Sequence, residues 1–294
     1  MSVIRGARER ARTEVTAAIK EEARRQLAAE GAARLSLRAV ARELGMVSSA
    51  LYRYFPSRDD LLTALIIDAY DAVGAAAEQA LAAERGSPVE RWVAVCRAAR
   101  DWAVGHPHEY SLIYGSPVPG YAAPQDTVAP ASRVALALIA VTREAHAAGV
   151  LGQPAGRPPA GPVRADAERL GAEVAPDLPV EVVSALLAAW AQVFGIVSFE
   201  VFGQFQGVVE ARGPFFDHAA AALALQVGLP ADSTGKASEA RRGTADAVYE
   251  PAGDGPVALA YVPADEFADL DEDLPDEPAR RNGGGAGHGV LPAK

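Results

Sequence analysis

Residues 35–62, LSLRAVARELGMVSSALYRYFPSRDDLL, decide how the chain is read. Ser36 stands as an N-cap before Leu37, Val40, Ala41 and Leu44, whose i, i+3, i+4, i+7 spacing predicts a short amphipathic helix ending at Gly45. A three-residue turn, 45–47, then leads to Ser48–Phe55, one or two helical turns that Pro56 must break. Two short helices joined by a tight turn need a small residue at their contact, a glycine that accepts positive φ, and an apolar anchor on the second helix. Ala41, Gly45 and Leu51 supply them, so the stretch reads as a helix-turn-helix.

Upstream, Val15, Ile19, Ala23 and Leu27 give one apolar stripe over Thr13–Glu30, with Gly31 as the stop. Downstream, Ser57 with an acid three residues on resembles a capping box and opens a helix to about Leu81. Ser87-Pro88-Val89-Glu90 repeats that signal and opens a helix that Pro107 closes. A short helix over Glu109–Tyr114 follows, then a loop over Gly115–Gln125 and a long helix over Val128–Ala148. The density of Gly and Pro predicts a loop over 150–179, relieved at most by a turn or two over Ala165–Val174. The last helices are an uncharged Val182–Phe199 and an amphipathic Pro214–Val227 ended by Gly228. With half the residues apolar and 6% aromatic, the expected fold is all-α. It divides into a helix-turn-helix domain (1–58), a helical regulatory and dimerisation domain (59–229) and an acidic tail (230–294) whose Gly, Pro and acid content predicts disorder. Within the tail, Val257–Phe267 is apolar enough to dock as an anchored strand or helix.

A formal charge of −10 argues against nucleic acid as a partner until its distribution is considered. Residues 1–60 carry a net +4, whereas 61–229 and 230–294 carry −7 each. The only net positive charge therefore coincides with the helix-turn-helix, where attraction to phosphates can act locally. In such a unit the second helix enters the major groove, placing Ser48 and Ser49 against base edges. Arg38, Tyr52, Arg53, Tyr54, Ser57 and Arg58 offer guanidinium and hydroxyl donors to flanking phosphates. The competing reading makes Tyr52, Tyr54 and Phe55 simple core of a small three-helix domain.

Other chemistries find little support. Cys96 is the only cysteine, so a disulfide within the chain is excluded, and the N-terminus lacks the apolar region of a secretory signal. A cytoplasmic location follows as the expectation. His106-Pro107-His108-Glu109 lacks the i, i+4 spacing of a helical zinc site, and neither a phosphate-cradling glycine loop nor a nucleophile elbow occurs. No cofactor, metal or enzymatic activity is expected.

The 35–62 stretch resembles the DNA-binding signature of TetR/AcrR-family regulators, above all in Ala41, Gly45, the run Leu51-Tyr52-Arg53-Tyr54-Phe55, and Ser57-Arg58 with its following acid. The resemblance implies that Tyr52 and Arg58 contact phosphate and that Ser48 and Ser49 lie where family members read bases. Val47 departs from the pattern, because family members often place a capping Ser or Thr there. If Ser48 assumes the cap, Ser49 and Arg53 become the stronger specificity residues. The resemblance further implies a homodimer joined through Val180–Phe205 and Pro214–Val227, binding double-stranded operator DNA. Independently, an uncharged 18-residue helix must be mostly covered, and Ala188, Ala189, Gly195 and Gly203 would admit a partner helix. A membrane span competes on length, but Ser184, Gln192 and Glu200 and the lack of a basic flank make it a poor anchor.

By the same resemblance, a small apolar or aromatic effector would occupy a pocket between the middle helices and release a repressor from a pseudo-palindromic operator. Trp102, Tyr110, Tyr114, Tyr121, Trp190, Phe194 and Phe199 are the candidate walls, each with core packing as its competing role. An alternative is a DNA-binding dimer governed by a protein partner.

Overall fold

A computed structural model describes residues 2–231. The expectations for the acidic tail lie outside the described residues. Ten α-helices follow one another without a strand among the described residues. They are α1 (Ser2–Glu30), α2 (Leu37–Glu43), α3 (Ser48–Leu51), α4 (Arg58–Ala83), α5 (Pro88–Gly105), α6 (Pro107–Tyr114), α7 (Val128–Ala147), α8 (Gly161–Val174), α9 (Val180–Val201) and α10 (Arg212–Val227).

Local chemistry sets most boundaries. The Ser36 and Ser57 hydroxyls accept from the backbone N–H of Ala39 and Asp60, and Ser87 forms the full capping box with Glu90. At the other end of the chain, Gly228 stops α10 at φ 102°, a left-handed conformation that costs glycine least. Two boundaries differ from expectation. Helix α1 starts at Ser2 rather than near Thr13, and 161–174 is a complete helix of 14 residues rather than a turn or two. Pro162 explains the second case. A proline in the first turn lacks only an N–H that would be unpaired anyway, so it opens α8 instead of forbidding it.

Two apolar cores share one helix. The first gathers Ile19, Ala23 and Leu27 of α1, Val40 and Ala41 of α2, Leu51 of α3 and Leu61, Leu62 and Leu65 of α4. The second begins further along the same helix with Ala69, Val73 and Ala77, and joins Trp92, Tyr110, Leu138, Val197 and Phe216. Helix α4 is thus the roof of the small head and a wall of the larger body, with no break at residue 59.

Helix α9 is long and apolar enough to cross a membrane, yet only 39% of that span is buried. Its uncovered face presents Leu187, Ala188, Ala191, Gly195 and Phe199, beside exposed Phe215 and Leu225 of α10.

Candidate nucleic-acid interface and ligand cavity

The head is assembled by the turn between α2 and α3. Gly45 adopts φ 64°, and a Cβ there would meet nothing within 4 Å, so the glycine is required by backbone conformation and not by space. The turn closes with Met46 N–H donating to Ala41 O at 2.8 Å. Leu51 anchors α3 in the core with no exposed surface.

With Leu51 inward, the other side of α3 faces solvent. Ser48, Ser49, Tyr52 and Arg53 are all exposed, as is Arg38 at the start of α2. Tyr54 is half-buried against the head core and Phe55 is buried within it, so the core role holds for Phe55 and partly for Tyr54. Val47 is the N-cap of α3 and makes no side-chain cap; Ser48 occupies the first helical position and does not take the cap over. Both serines consequently keep solvent-facing hydroxyls. Val47 is itself 70% exposed, an apolar side chain beside the reading helix that the sequence signalled only as a missing cap.

Ser57 and Arg58 also make hydrogen bonds within the chain, Ser57 on the exposed surface and Arg58 half-buried. The Ser57 hydroxyl accepts from Asp60 N–H and donates to the Asp60 carboxylate at 2.7 Å. One Arg58 amino group donates to the carbonyls of Ala32 and Ala33 at 2.8 and 3.3 Å. The guanidinium clasps the turn after α1 to the start of α4 while 29% of the side chain stays exposed, and its buried Nε has no hydrogen-bond partner among the described residues.

Ion pairs occur in both parts, and in the head Arg42 and Arg58 meet Glu43 and Asp59. In the body Arg91, Arg97, Arg100, Arg133 and Arg143 each meet a carboxylate. In the head, Arg38 and Arg53 meet none among the described residues, which leaves their charge to act outward. An ion network bridges the two parts. Asp68 of α4 accepts from Lys20 and Arg24 of α1, both at 2.8 Å, and Arg24 also donates to Glu109 of α6 at 3.0 Å.

The body contains a half-open cavity of about 640 Å³ between α4, α6, α7, α8 and α9 and the loop after α6. Of the seven aromatic candidates, Tyr121 and Trp190 line it. The other five do not, and each has another role. Trp102 is buried and stacks on His106 at 5.3 Å, while Phe199 lies 53% exposed on the outer face of α9. Tyr110 donates its hydroxyl hydrogen bond to Phe194 O, at 3.2 Å, or engages Ser198 Oγ, at 2.8 Å. Tyr114 stacks on Phe194 at 4.3 Å, and burial pushes its phenol pKa up. These rings fill space, as large aromatics usually do in a close-packed interior.

Most of the cavity wall is small or aliphatic. Ala131, Ala135 and Leu138 of α7, Leu170 and Val174 of α8, and Ile66 and Tyr70 of α4 form much of its wall. Several of these residues serve the head as well. Ile66 belongs to the head core, and Leu112, Ile113, Val118 and Tyr121 pack against it. The Tyr121 hydroxyl bonds Thr63 of α4 at 2.9 Å, and Tyr70 donates to Ile113 O at 3.2 Å. One wall of the cavity is therefore the upper surface of the head.

Comparisons with known proteins agree with both parts. Residues 19–65 match the family described as bacterial regulatory proteins, tetR family, and residues 92–223 match the tetracyclin repressor-like C-terminal domain. The chain is 44% identical over 205 residues to the HTH-type transcriptional regulator Rv1816 of Mycobacterium tuberculosis, covering 68% of this chain and 86% of that one. A crystal structure of a regulatory protein, SCO4313, is 35% identical, with a TM-score of 0.59 over 73% of this chain and 97% of the other. A protein of unknown function from Rhodococcus sp. RHA1, 24% identical with a TM-score of 0.54, has the same fold over 73% of this chain and 94% of its own. The matched family is one of regulatory proteins, and Rv1816 is a transcriptional regulator; neither description is that of an enzyme. The chain belongs to the TetR family of DNA-binding transcriptional regulators.

Proposed function

We propose that the protein is a cytoplasmic homodimeric repressor that leaves a pseudo-palindromic operator when a small apolar effector enters the body. The observation that carries this reading is the shared wall: Ile66 and Tyr121 border the cavity and also pack in or against the core that holds α3 in place. An effector that fits one arrangement of that wall better than another shifts the head between two placements, and coupling requires no more than this difference in affinity.

On the DNA side, α3 lies in the major groove with Ser48 and Ser49 toward base edges, and Val47 beside them suits a thymine methyl group. Arg38, Tyr52, Arg53 and the half-buried Tyr54 hold phosphates on either side. Ser57 and Arg58 act by shaping the head. The uncovered apolar faces of α9 and α10 pair with their counterparts in a second copy. That pairing sets the two reading helices about one DNA turn, roughly 34–36 Å, apart. Within the cavity Tyr121 and Trp190 contact the effector.

Selection of bound duplexes from a random pool tests the proposal. The expected outcome is a two-fold pseudo-palindrome with half-site centres about 10–10.5 base pairs apart. Enrichment of a single unpaired half-site would refute the dimeric arrangement, and no enrichment would refute the operator. A thermal-shift screen addresses the effector, since a ligand bound only to the folded state raises the melting temperature. A compound from that screen must also release the operator in a gel shift.

A further inference from the structure

We infer that the cavity is built for an uncharged, lipid-like molecule whose polar group is a hydroxyl; this rests on the reading that the cavity receives the effector. Three observations carry it. First, no residue on the wall is charged. Arg133, adjacent in sequence to the wall residue Ser132, is turned away onto Asp71 and Glu78 and is unavailable to a ligand carboxylate. Burying a carboxylate or an ammonium without a partner carries a heavy desolvation cost, so charged ligands are selected against.

Second, three of the five wall hydroxyls have committed their protons. The wall hydroxyls are Tyr70, Ser116, Tyr121, Thr127 and Ser132. Tyr70 donates to Ile113 O, Thr127 to Pro124 O at 2.7 Å and Ser132 to Val128 O at 2.8 Å. Tyr121 shares a single hydrogen bond with Thr63. A hydroxyl that has donated its proton still accepts, which favours a ligand that brings a donor of its own. An alcohol does so without charge.

Third, size and rim agree with a long apolar body. At roughly 30 Å³ for each water-sized group, the volume holds about 20 non-hydrogen atoms. The exposed wall residues Val128 and Leu136 are aliphatic, so a tail reaching the rim still meets apolar surface.

The test compares three probes of one chain length, dodecan-1-ol, dodecanoate and dodecylammonium, on the full chain at neutral pH. Binding is read from tryptophan fluorescence, since Trp190 lines the cavity, and from thermal shift. The alcohol is expected to bind at least tenfold more tightly than either ion. The Ala135→Phe variant, which fills the wall of α7, should lose alcohol binding at least tenfold while its circular-dichroism spectrum stays that of the parent chain. Equal or tighter binding of dodecanoate or dodecylammonium, abolished by Ala135→Phe, would overturn the uncharged class and leave the effector cavity standing. Alcohol binding untouched by Ala135→Phe would place the ligand elsewhere and overturn both. No binding of the alcohol up to its solubility would overturn this inference alone, because operator release by screened compounds tests the effector reading separately.

Discussion

Replacing Arg58 separates two roles that one side chain cannot fill equally. In the structure its amino group donates to Ala32 O and Ala33 O, tying the short turn after α1 to the first turn of α4. A hydrogen bond from a charged group contributes about 1.5–3 kcal/mol. The side chain is 29% exposed, the second contact is long, and water can replace part of what is lost, so a total near the lower end, about 1.5–2 kcal/mol, is expected for Arg58→Ala. At about 2–4 °C per kcal/mol for a domain of this size, the melting temperature should fall by roughly 3–8 °C. Operator affinity should fall as well, through a loosened head, while the slope of log affinity against log salt stays where it was. If Arg58 served instead as a phosphate contact, stability would hardly change and the slope would lose about 0.9. Thermal denaturation and a salt-titrated gel shift on the same two proteins decide the matter. Unchanged stability together with the reduced slope would refute the clasp.

Four further outcomes are expected. Arg53→Ala should weaken binding to all duplexes alike and lower the salt slope by about 1, whereas Ser49→Ala should change which duplexes a random pool yields. Arg100 and Glu200 form a nearly buried pair through hydrogen bonds of 2.7 and 2.5 Å, with the guanidinium 5.7 Å from the Phe216 ring centre. Arg100→Met alone should cost about 3–5 kcal/mol by stranding the carboxylate, and adding Glu200→Met should recover much of it in urea titrations. Cys96 is buried and its burial pushes the thiol pKa up, so iodoacetamide should label it only at denaturant concentrations that unfold the body. Glu78 and Glu144 are held below their ordinary pKa by hydrogen bonds from Arg133 and Arg91. Their stabilisation is present above pH 4.5, the ordinary value, and fades as acid protonates them. Glu144→Gln should flatten that acid limb in melts between pH 3 and pH 6.

What the residues disclosed in advance was local. Ser36, Gly45, Ser57, Ser87 and Gly228 mark helix ends through chemistry confined to a turn, and each stands at the end it announced. The apolar anchor Leu51 fixed which side of α3 turns outward, and the exposed Ser48, Ser49, Tyr52 and Arg53 followed from it. Helix α8 was not legible because the Gly and Pro density of 150–179 carries no sense of position; at the start of a helix Pro162 is an initiator. The backbone clasp of Arg58 was not legible, because a guanidinium beside a reading helix looks alike whether it faces a phosphate or a backbone carbonyl of the preceding turn. The cavity was least legible. A void forms where helices meet across alanines such as Ala131 and Ala135, and its place depends on helix packing angles that no single segment encodes. Conspicuous rings such as Tyr110 and Phe194 were drawn into solid packing instead.

Because Ile66 and Tyr121 border the cavity and also pack in or against the head core, the proposed effector coupling ties chemical selectivity and basal occupancy of DNA together at these two positions. A substitution at either position that welcomes a new compound also alters the resting posture of the reading helices, so engineered biosensors derived from this chain should drift in background expression whenever they gain a new inducer. Changes confined to Leu170 or Val174, on the far wall, offer a route to retune the response without that penalty.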